Sequence, residues 1–334
     1  MPFEPRTPRR LPRPATIVTW LIAALALLSV SAITAFQVLS GPDRTADPTQ
    51  THPAGLPTSV DPFASTTGTT AGPTSLPPPT AAAAARTAAT VPARSAKKGV
   101  STWDFPGLGA ALRDVGARWY YNWSAGPSAG AGTTAEFVPM IWGSGSVTPA
   151  NLAKAKASGA VLLGFNEPDL ASQANLTVTA ALDLWPQLQA TGQRLGSPAV
   201  ASGGATAGGW LDQFLAGARQ RGYRVDFITL HWYGSDFSAN ATGQLRGYLQ
   251  AVYDRYHLPI WLTEYALIKF PSTYPSDAQQ VAFINASTAM LSSLPYLERY
   301  AWFALPTSTS GDHTGLYRDG NTPTAAGAAY RSVA

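Results

Sequence analysis

From residue 98 onward, short apolar runs alternate with amphipathic stretches eight times before the chain ends. The runs fall at 99–103, 118–123, 136–142, 160–166, 194–199, 225–233, 260–264 and 299–304. Runs this continuous in apolar residues read as strands buried on both faces, the mark of a parallel sheet whose crossovers carry helices. Segments such as 149–158, 180–191, 210–221, 244–256 and 277–294 supply those helices, several with Ser, Thr or Asp at the expected N-cap and Gly past the end. An α/β chain with eight such repeats predicts closure into a (β/α)8 TIM barrel over residues 99–334.

The 334-residue chain is different in kind before that point. Residues 1–14 form a basic tail, and 15–39 are apolar without a single charge. At about 1.5 Å per residue that stretch is long enough for a bilayer. It reads as a transmembrane or signal-anchor helix, membrane-bound if uncleaved. A signal peptide cut near Val30-Ser31-Ala32 or Ile33-Thr34-Ala35 is the alternative; the anchor is favoured because the stretch exceeds the usual signal core. Residues 40–98 are dominated by Pro, Thr and Ala and read as a disordered linker. The expected location is extracellular or at the cell surface, anchored or secreted. No cysteine is present, so the domain folds without disulfides.

Charge separates along the same boundary. Residues 1–100 hold nine basic and four acidic side chains, whereas the remainder holds 14 basic and 15 acidic. The pI of about 9.3 therefore belongs to the front of the chain, and no basic face remains for nucleic acid.

In an eight-stranded barrel the functional groups lie at the C-terminal strand ends. Glu167 ends the fourth run and Glu264 the seventh. A carboxylate beside apolar strand residues is costly to bury unless its surroundings use it, and paired carboxylates facing one cleft are the machinery of glycosidic-bond hydrolysis. Other strand ends carry Tyr121, Asn122 and Trp123, then Trp142, then His231, Trp232 and Tyr233, and finally Trp302. Aromatic rings stack on the C–H faces of sugars, and 10 Trp and 13 Tyr, many at these rims, suit a carbohydrate groove. Trp103, Trp185, Trp210 and Trp261 read as packing residues, and Asp169 as a helix N-cap or loop anchor.

Other chemistries find little support. Gly126-Pro127-Ser128-Ala129-Gly130 fits G-x-S-x-G but lies in a loop rather than between strand and helix. The four histidines, at 52, 231, 257 and 313, make no i, i+4 pair, so no metal is expected. Neither a dinucleotide fingerprint nor a phosphate loop appears, so no cofactor is expected.

Asn166-Glu167-Pro168 with Glu264 resembles the retaining glycoside hydrolases of clan A. The fuller set is more specific: Trp119-Tyr120-Tyr121-Asn122-Trp123, Phe137-Val138-Pro139-Met140, Leu163-Gly164-Phe165-Asn166-Glu167-Pro168-Asp169, Leu195-Gly196-Ser197-Pro198, Asp226-Phe227-Ile228-Thr229-Leu230-His231-Trp232-Tyr233 and Leu262-Thr263-Glu264-Tyr265. Together these resemble the β-1,3-glucanases of glycoside hydrolase family 128. The resemblance implies that Glu167 is the general acid and base, Glu264 the nucleophile, and Asn166 the ligand of the sugar hydroxyl beside the reacting carbon. For those roles to differ, Glu167 must be held neutral and Glu264 ionised, with Tyr233 or His231 donating to the latter. The substrate expected is a β-glucan polysaccharide cut internally by a monomer, since aromatic rims on both sides of the glutamates suggest a groove. Two alternatives stay open: a non-catalytic carbohydrate-binding or wall-attachment barrel, and a clan A hydrolase of β-1,4-glycans.

Overall fold

The computed structural model describes residues 95–333. All eight apolar runs contain strands: β1 Lys98–Ser101, β2 Trp119–Tyr121, β3 Glu136–Phe137, β4 Val161–Leu162, β5 Arg194–Leu195, β6 Ile228–Gly234, β7 Ile260–Leu267 and β8 Leu297–Trp302. Every pairing between these strands is parallel. They form a six-stranded sheet in the order β3-β2-β1-β8-β7-β6 and a separate two-stranded sheet, β4-β5.

The single continuous barrel expected from the sequence is therefore not what the ladders draw. Only isolated parallel bridges span the two seams flanking β4-β5: Met140 to Leu163 on one side, and Gly196 to Phe227 and Val200 to Leu230 on the other. Proline supplies a reason, because Pro139 and Pro198 bring no N–H to the ladder just past β3 and β5. Within the small sheet the backbones lie close: a Cβ on Gly164 would stand 2.9 Å from the Gly196 carbonyl oxygen and 3.0 Å from the Pro198 nitrogen. The larger sheet curls strongly. Trp119 of β2 and Trp261 of β7 have ring centroids 5.3 Å apart although β1 and β8 lie between their strands.

Among the described residues seven α-helices follow or precede these strands: α1 Leu108–Val115, α2 Pro149–Ser158, α3 Val178–Gln189, α4 Trp210–Gln220, α5 Asn240–Tyr256, α6 Asp277–Ser293 and α7 Ala325–Ser332. Their starts are chemically specified. Thr148 and Thr177 accept from the backbone N–H three residues on, with Pro149 opening α2, and Ser276 and Gln279 form a reciprocal capping box. Among the described residues no helix is long and apolar enough to cross a membrane. The apolar segment at 15–39 and nearly all of the linker at 40–98 lie outside the described residues. Lys98, assigned to that linker, instead begins β1. Its buried ammonium donates to the Tyr330 and Val333 carbonyls at 2.5 and 2.8 Å, at the C-terminal end of α7 where a cation is favoured.

Strand residues alternate between two cores. Leu162 and Phe165 pack outward with the helices, whereas Val161 and Leu163 join Trp119, Tyr121, Val138, Met140, Phe227, Trp261 and Ala301 in a second cluster on the concave side. This alternation decides which strand-end side chains reach the rim and which turn away from it.

Candidate active site

Glu264 lies on β7 and His231 on β6, and the two are direct partners in the ladder. An irregularity between Leu230 and His231 shifts the register there, a device that re-aims side chains near functional sites. Glu167 arrives from the other sheet, just beyond β4, with its backbone N–H donating to the Ala199 carbonyl at 2.7 Å. Its φ of 42° is a left-handed conformation that a glutamate adopts only when the surroundings enforce it. Here the bridge from Asn166 to Ala199 and the bond from the Glu167 N–H to the Ala199 carbonyl hold it, against the extended conformation that a following proline favours.

All three side chains are buried: Glu167 is 8 % exposed, Glu264 4 % and His231 1 %. His231 joins the two carboxylates, its Nδ1 lying 2.9 Å from Glu167 Oε1 and its Nε2 3.4 Å from Glu264 Oε1. Three donors converge on Glu264. The Tyr121 hydroxyl and the Trp123 indole N–H each reach Oε1 at 2.9 Å, and the Tyr233 hydroxyl donates to Oε2. Burial first, and then the Glu264 charge, push both phenols well above the ordinary tyrosine range, so they remain neutral donors. Glu167 has no comparable donor set. Burial raises its carboxyl above the usual range, and the nearby charges of Glu264 and Asp169 add to this while His231 opposes it. For His231, burial favours the neutral ring but is outweighed by Glu264, Glu167 and Asp169, so the net shift is upward.

The expected residues divide. Tyr121, Trp123, Tyr233 and His231 gather around the two glutamates. Asn166 is buried beside them, its Nδ2 3.3 Å from Gln173 Oε1 and its Oδ1 without a partner among the described residues. Trp142 is half-buried and touches both cores. Three others stand apart. Trp302 is fully buried, donating to the Thr314 carbonyl at 2.7 Å and packed on Tyr265. Strand alternation turns Trp232 outward, where its ring stacks on Phe283 of α6. Asn122 ties its own loop together through Gly126, Ser128 and Ser124. Asp169 is a loop anchor rather than a helix cap: it accepts from the Ala201 N–H at 2.9 Å, and α3 begins only at Val178.

The sequence reads Trp103 as a packing residue, yet it lies two residues past β1, stacked with Trp123 at 6.4 Å and 28° and touching Phe303. The strand-end rule that selects Trp123 past β2 selects Trp103 as well, once β1 is seen to end at Ser101. Phe303 meets Tyr233 and Trp123 edge-on, and Phe270 meets Tyr233. Trp185 and Trp261 are buried, as expected.

One ligand atom from each of Glu167, His231 and Glu264 lies within 4.8 Å of the other two. The Glu264 oxygens there already accept the phenol hydrogens of Tyr121 and Tyr233 and the indole hydrogen of Trp123.

Residues 110–330 match the family described as the glycosyl hydrolase catalytic core. An endo-β-1,3-glucanase of glycoside hydrolase family 128, subgroup I, from Amycolatopsis mediterranei, solved with laminaritriose, is 65 % identical, with 71 % of this chain and 99 % of that chain covered and a TM-score of 0.67. That enzyme is also known as variants with one of two glutamates replaced, in complexes with laminari-oligosaccharides. Those glutamates have the same sequence separation as Glu167 and Glu264. A subgroup II endo-β-1,3-glucanase from Sorangium cellulosum is 29 % identical over 71 % of this chain and 98 % of that one, with a TM-score of 0.61. Alkali-sensitive linkage protein 1 of Schizosaccharomyces pombe is 34 % identical over 225 residues, 64 % of this chain and 39 % of the yeast protein.

Proposed function

Because this chain belongs to glycoside hydrolase family 128, we propose that it hydrolyses internal β-1,3 linkages of a glucan with retention of anomeric configuration. The observation that carries this reading is the spacing of the two acids. Carboxylate oxygens of Glu167 and Glu264 approach within 4.8 Å. That matches the roughly 5–5.5 Å separation at which one carboxylate attacks the anomeric carbon directly, and falls short of the roughly 6.5–9.5 Å that leaves room for an inverting water.

The electrostatics favour a division of roles. Glu167, biased toward its protonated form, gives its proton to the glycosidic oxygen as the bond to the anomeric carbon breaks, while Glu264, held by three donors, attacks that carbon. Glu167, now a carboxylate, then takes a proton from water, whose oxygen attacks the anomeric carbon and releases Glu264. The unpartnered Oδ1 of Asn166 faces this work as a hydroxyl acceptor. Trp103, Trp123 and Phe303 supply an aromatic wall for the sugar rings.

Bridges at both seams and the contact between Trp119 and Trp261 support a functional reading of the eight strands as one closed (β/α)8 barrel. The uncharged stretch 15–39 and the Pro/Thr/Ala-rich residues after it support an enzyme held at the cell surface or released outside the cell.

Incubation of the full chain with linear β-1,3-glucan and β-1,4-glucan panels tests the reading, following reducing ends, product sizes and, by proton NMR, the anomer first formed. Mixed β-configured oligosaccharides from the β-1,3 polymer are expected. Cleavage of β-1,4 chains alone overturns the linkage, an α-anomer first formed overturns retention, and binding without cleavage favours the non-catalytic alternative.

A further inference from the structure

His231 takes no part in the double displacement as written, yet it is the side chain that touches both acids. Resting on the glycosidase reading above, we propose that His231 is a positioning residue that shares one proton with Glu167 along the line from Oε1 to Nδ1, while its Nε2–H lies on the Glu264 side, so that the working acid is the Glu167–His231 pair.

The argument follows from counting donors. A neutral imidazole has one N–H and one lone pair. Placing the hydrogen on Nε2 sets it on the side of Glu264 Oε1, 3.4 Å from the nitrogen and attracted by the carboxylate though not in hydrogen-bond geometry, and leaves the Nδ1 lone pair facing Glu167 Oε1 at 2.9 Å. An ionised Glu167 would then oppose lone pair to lone pair, so that tautomer is satisfied only when Glu167 carries the proton. Moving this proton to Nδ1 gives an imidazolium between two carboxylates, a state of the same net charge. The opposite neutral tautomer sets the Nε2 lone pair against Glu264 and is disfavoured. In the described structure Nε2 is buried without a hydrogen-bond partner, as suits a group whose contact with Glu264 shortens when a substrate fills the site.

The charged and titratable groups facing His231 are Glu264 on β7, Glu167 past β4 and Asp169 in the following loop, with Tyr121 of β2 and Tyr233 of β6 on Glu264's other side. All three carboxylates favour retention of a proton in the cluster, and two places to hold it bind it more tightly than either alone. A ring that donates from Nδ1 lowers the Glu167 carboxyl, whereas a ring that accepts at Nδ1 offers the proton a second place, so in the Nε2–H tautomer the pair loses its proton at a higher pH than Glu167 would without the ring. Atoms balance: in the first step the shared proton leaves with the departing sugar oxygen, and in the second the attacking water returns one.

Two measurements decide it. In the wild-type full chain, ¹⁵N NMR of selectively labelled histidine is expected to show the His231 proton on Nε2 in the neutral form; a proton on Nδ1 overturns the proposal whether or not any glucan is cleaved. His231→Gln retains an N–H toward Glu264 but removes the second proton site. Its kcat against pH on β-1,3-glucan is expected to show an alkaline limb displaced downward by about one unit or more, a loss of tenfold or more on that side. Aryl glycosides with highly acidic leaving groups, which need little proton donation, should lose much less. A kcat reduced equally at every pH and for both substrate types overturns it. If the variant does not fold, the tautomer measurement stands alone; if the wild type cleaves nothing, the glycosidase reading fails and the tautomer result is still read.

Discussion

Trp123 donates its indole N–H to Glu264 Oε1 at 2.9 Å from a backbone held at φ 56°, a conformation a bulky residue avoids. The side chain expected to serve as a sugar platform is thus also a ligand of the carboxylate. Trp123→Phe keeps the ring and removes the donor. A hydrogen bond to a charged group contributes about 1.5–3 kcal/mol. Should that difference be felt between ground and transition states, kcat falls by roughly 10- to 100-fold with little change in KM. Steady-state kinetics on a soluble β-1,3-glucan separates the two parameters.

Replacing either acid separates chemistry from folding. Glu264→Gln is expected to lower kcat by more than about 10³-fold while leaving the circular dichroism spectrum unchanged, because the amide occupies the same space and cannot attack carbon. Full activity in this variant removes the nucleophile assignment.

Glu167 leaves a signature in stability as well as in rate. Its folded-state pKa lies above its ordinary value of 4.5, so the native state holds the proton more tightly than the unfolded chain. Its contribution is fully present below pH 4.5 and is lost as pH rises through the raised value. Glu167→Gln, which cannot ionise, should therefore melt at a higher temperature than wild type at pH 7, with the difference closing below pH 4.5. Calorimetry at the two pH values checks the sign.

Trp302 and Trp103 are expected to exchange the roles the sequence suggests for them. Trp302→Phe removes a buried N–H bond and part of a core ring, about 1–3 kcal/mol, or several degrees of melting temperature, with KM unchanged. Trp103→Ala should raise KM several-fold and barely move the melting curve, since the ring is half-buried on the aromatic wall.

The eight strands and the two acids were legible because both depend on local pattern: apolar runs of strand length, and a carboxylate placed where such a run ends. Pairing was less so. The six-plus-two division turns on Pro139 and Pro198 interrupting ladders, and the distance over which a proline disturbs its neighbours is set by the partner strand, which periodicity does not reveal. At the rim, one residue of register separates His231 and Tyr233, which meet the acids, from Trp232, which turns to α6. Composition marks all three as aromatic or polar strand-end residues, and only the pleat sorts them. The contact from Gln173 to Asn166 had no signal, because it joins a loop position to a strand end through the path of the intervening turn.

Glu167 extends from the two-stranded sheet and Glu264 from the six-stranded one. Neither hydrogen-bond ladder by itself fixes the gap that the chemistry needs; it is a clearance between two separately built parts, clamped on one side where Met140 meets Leu163 and on the other where Gly196 meets Phe227 and Val200 meets Leu230. Substitutions far below the rim that loosen either clamp would widen the jaws and disable the enzyme without touching any residue that a sugar meets.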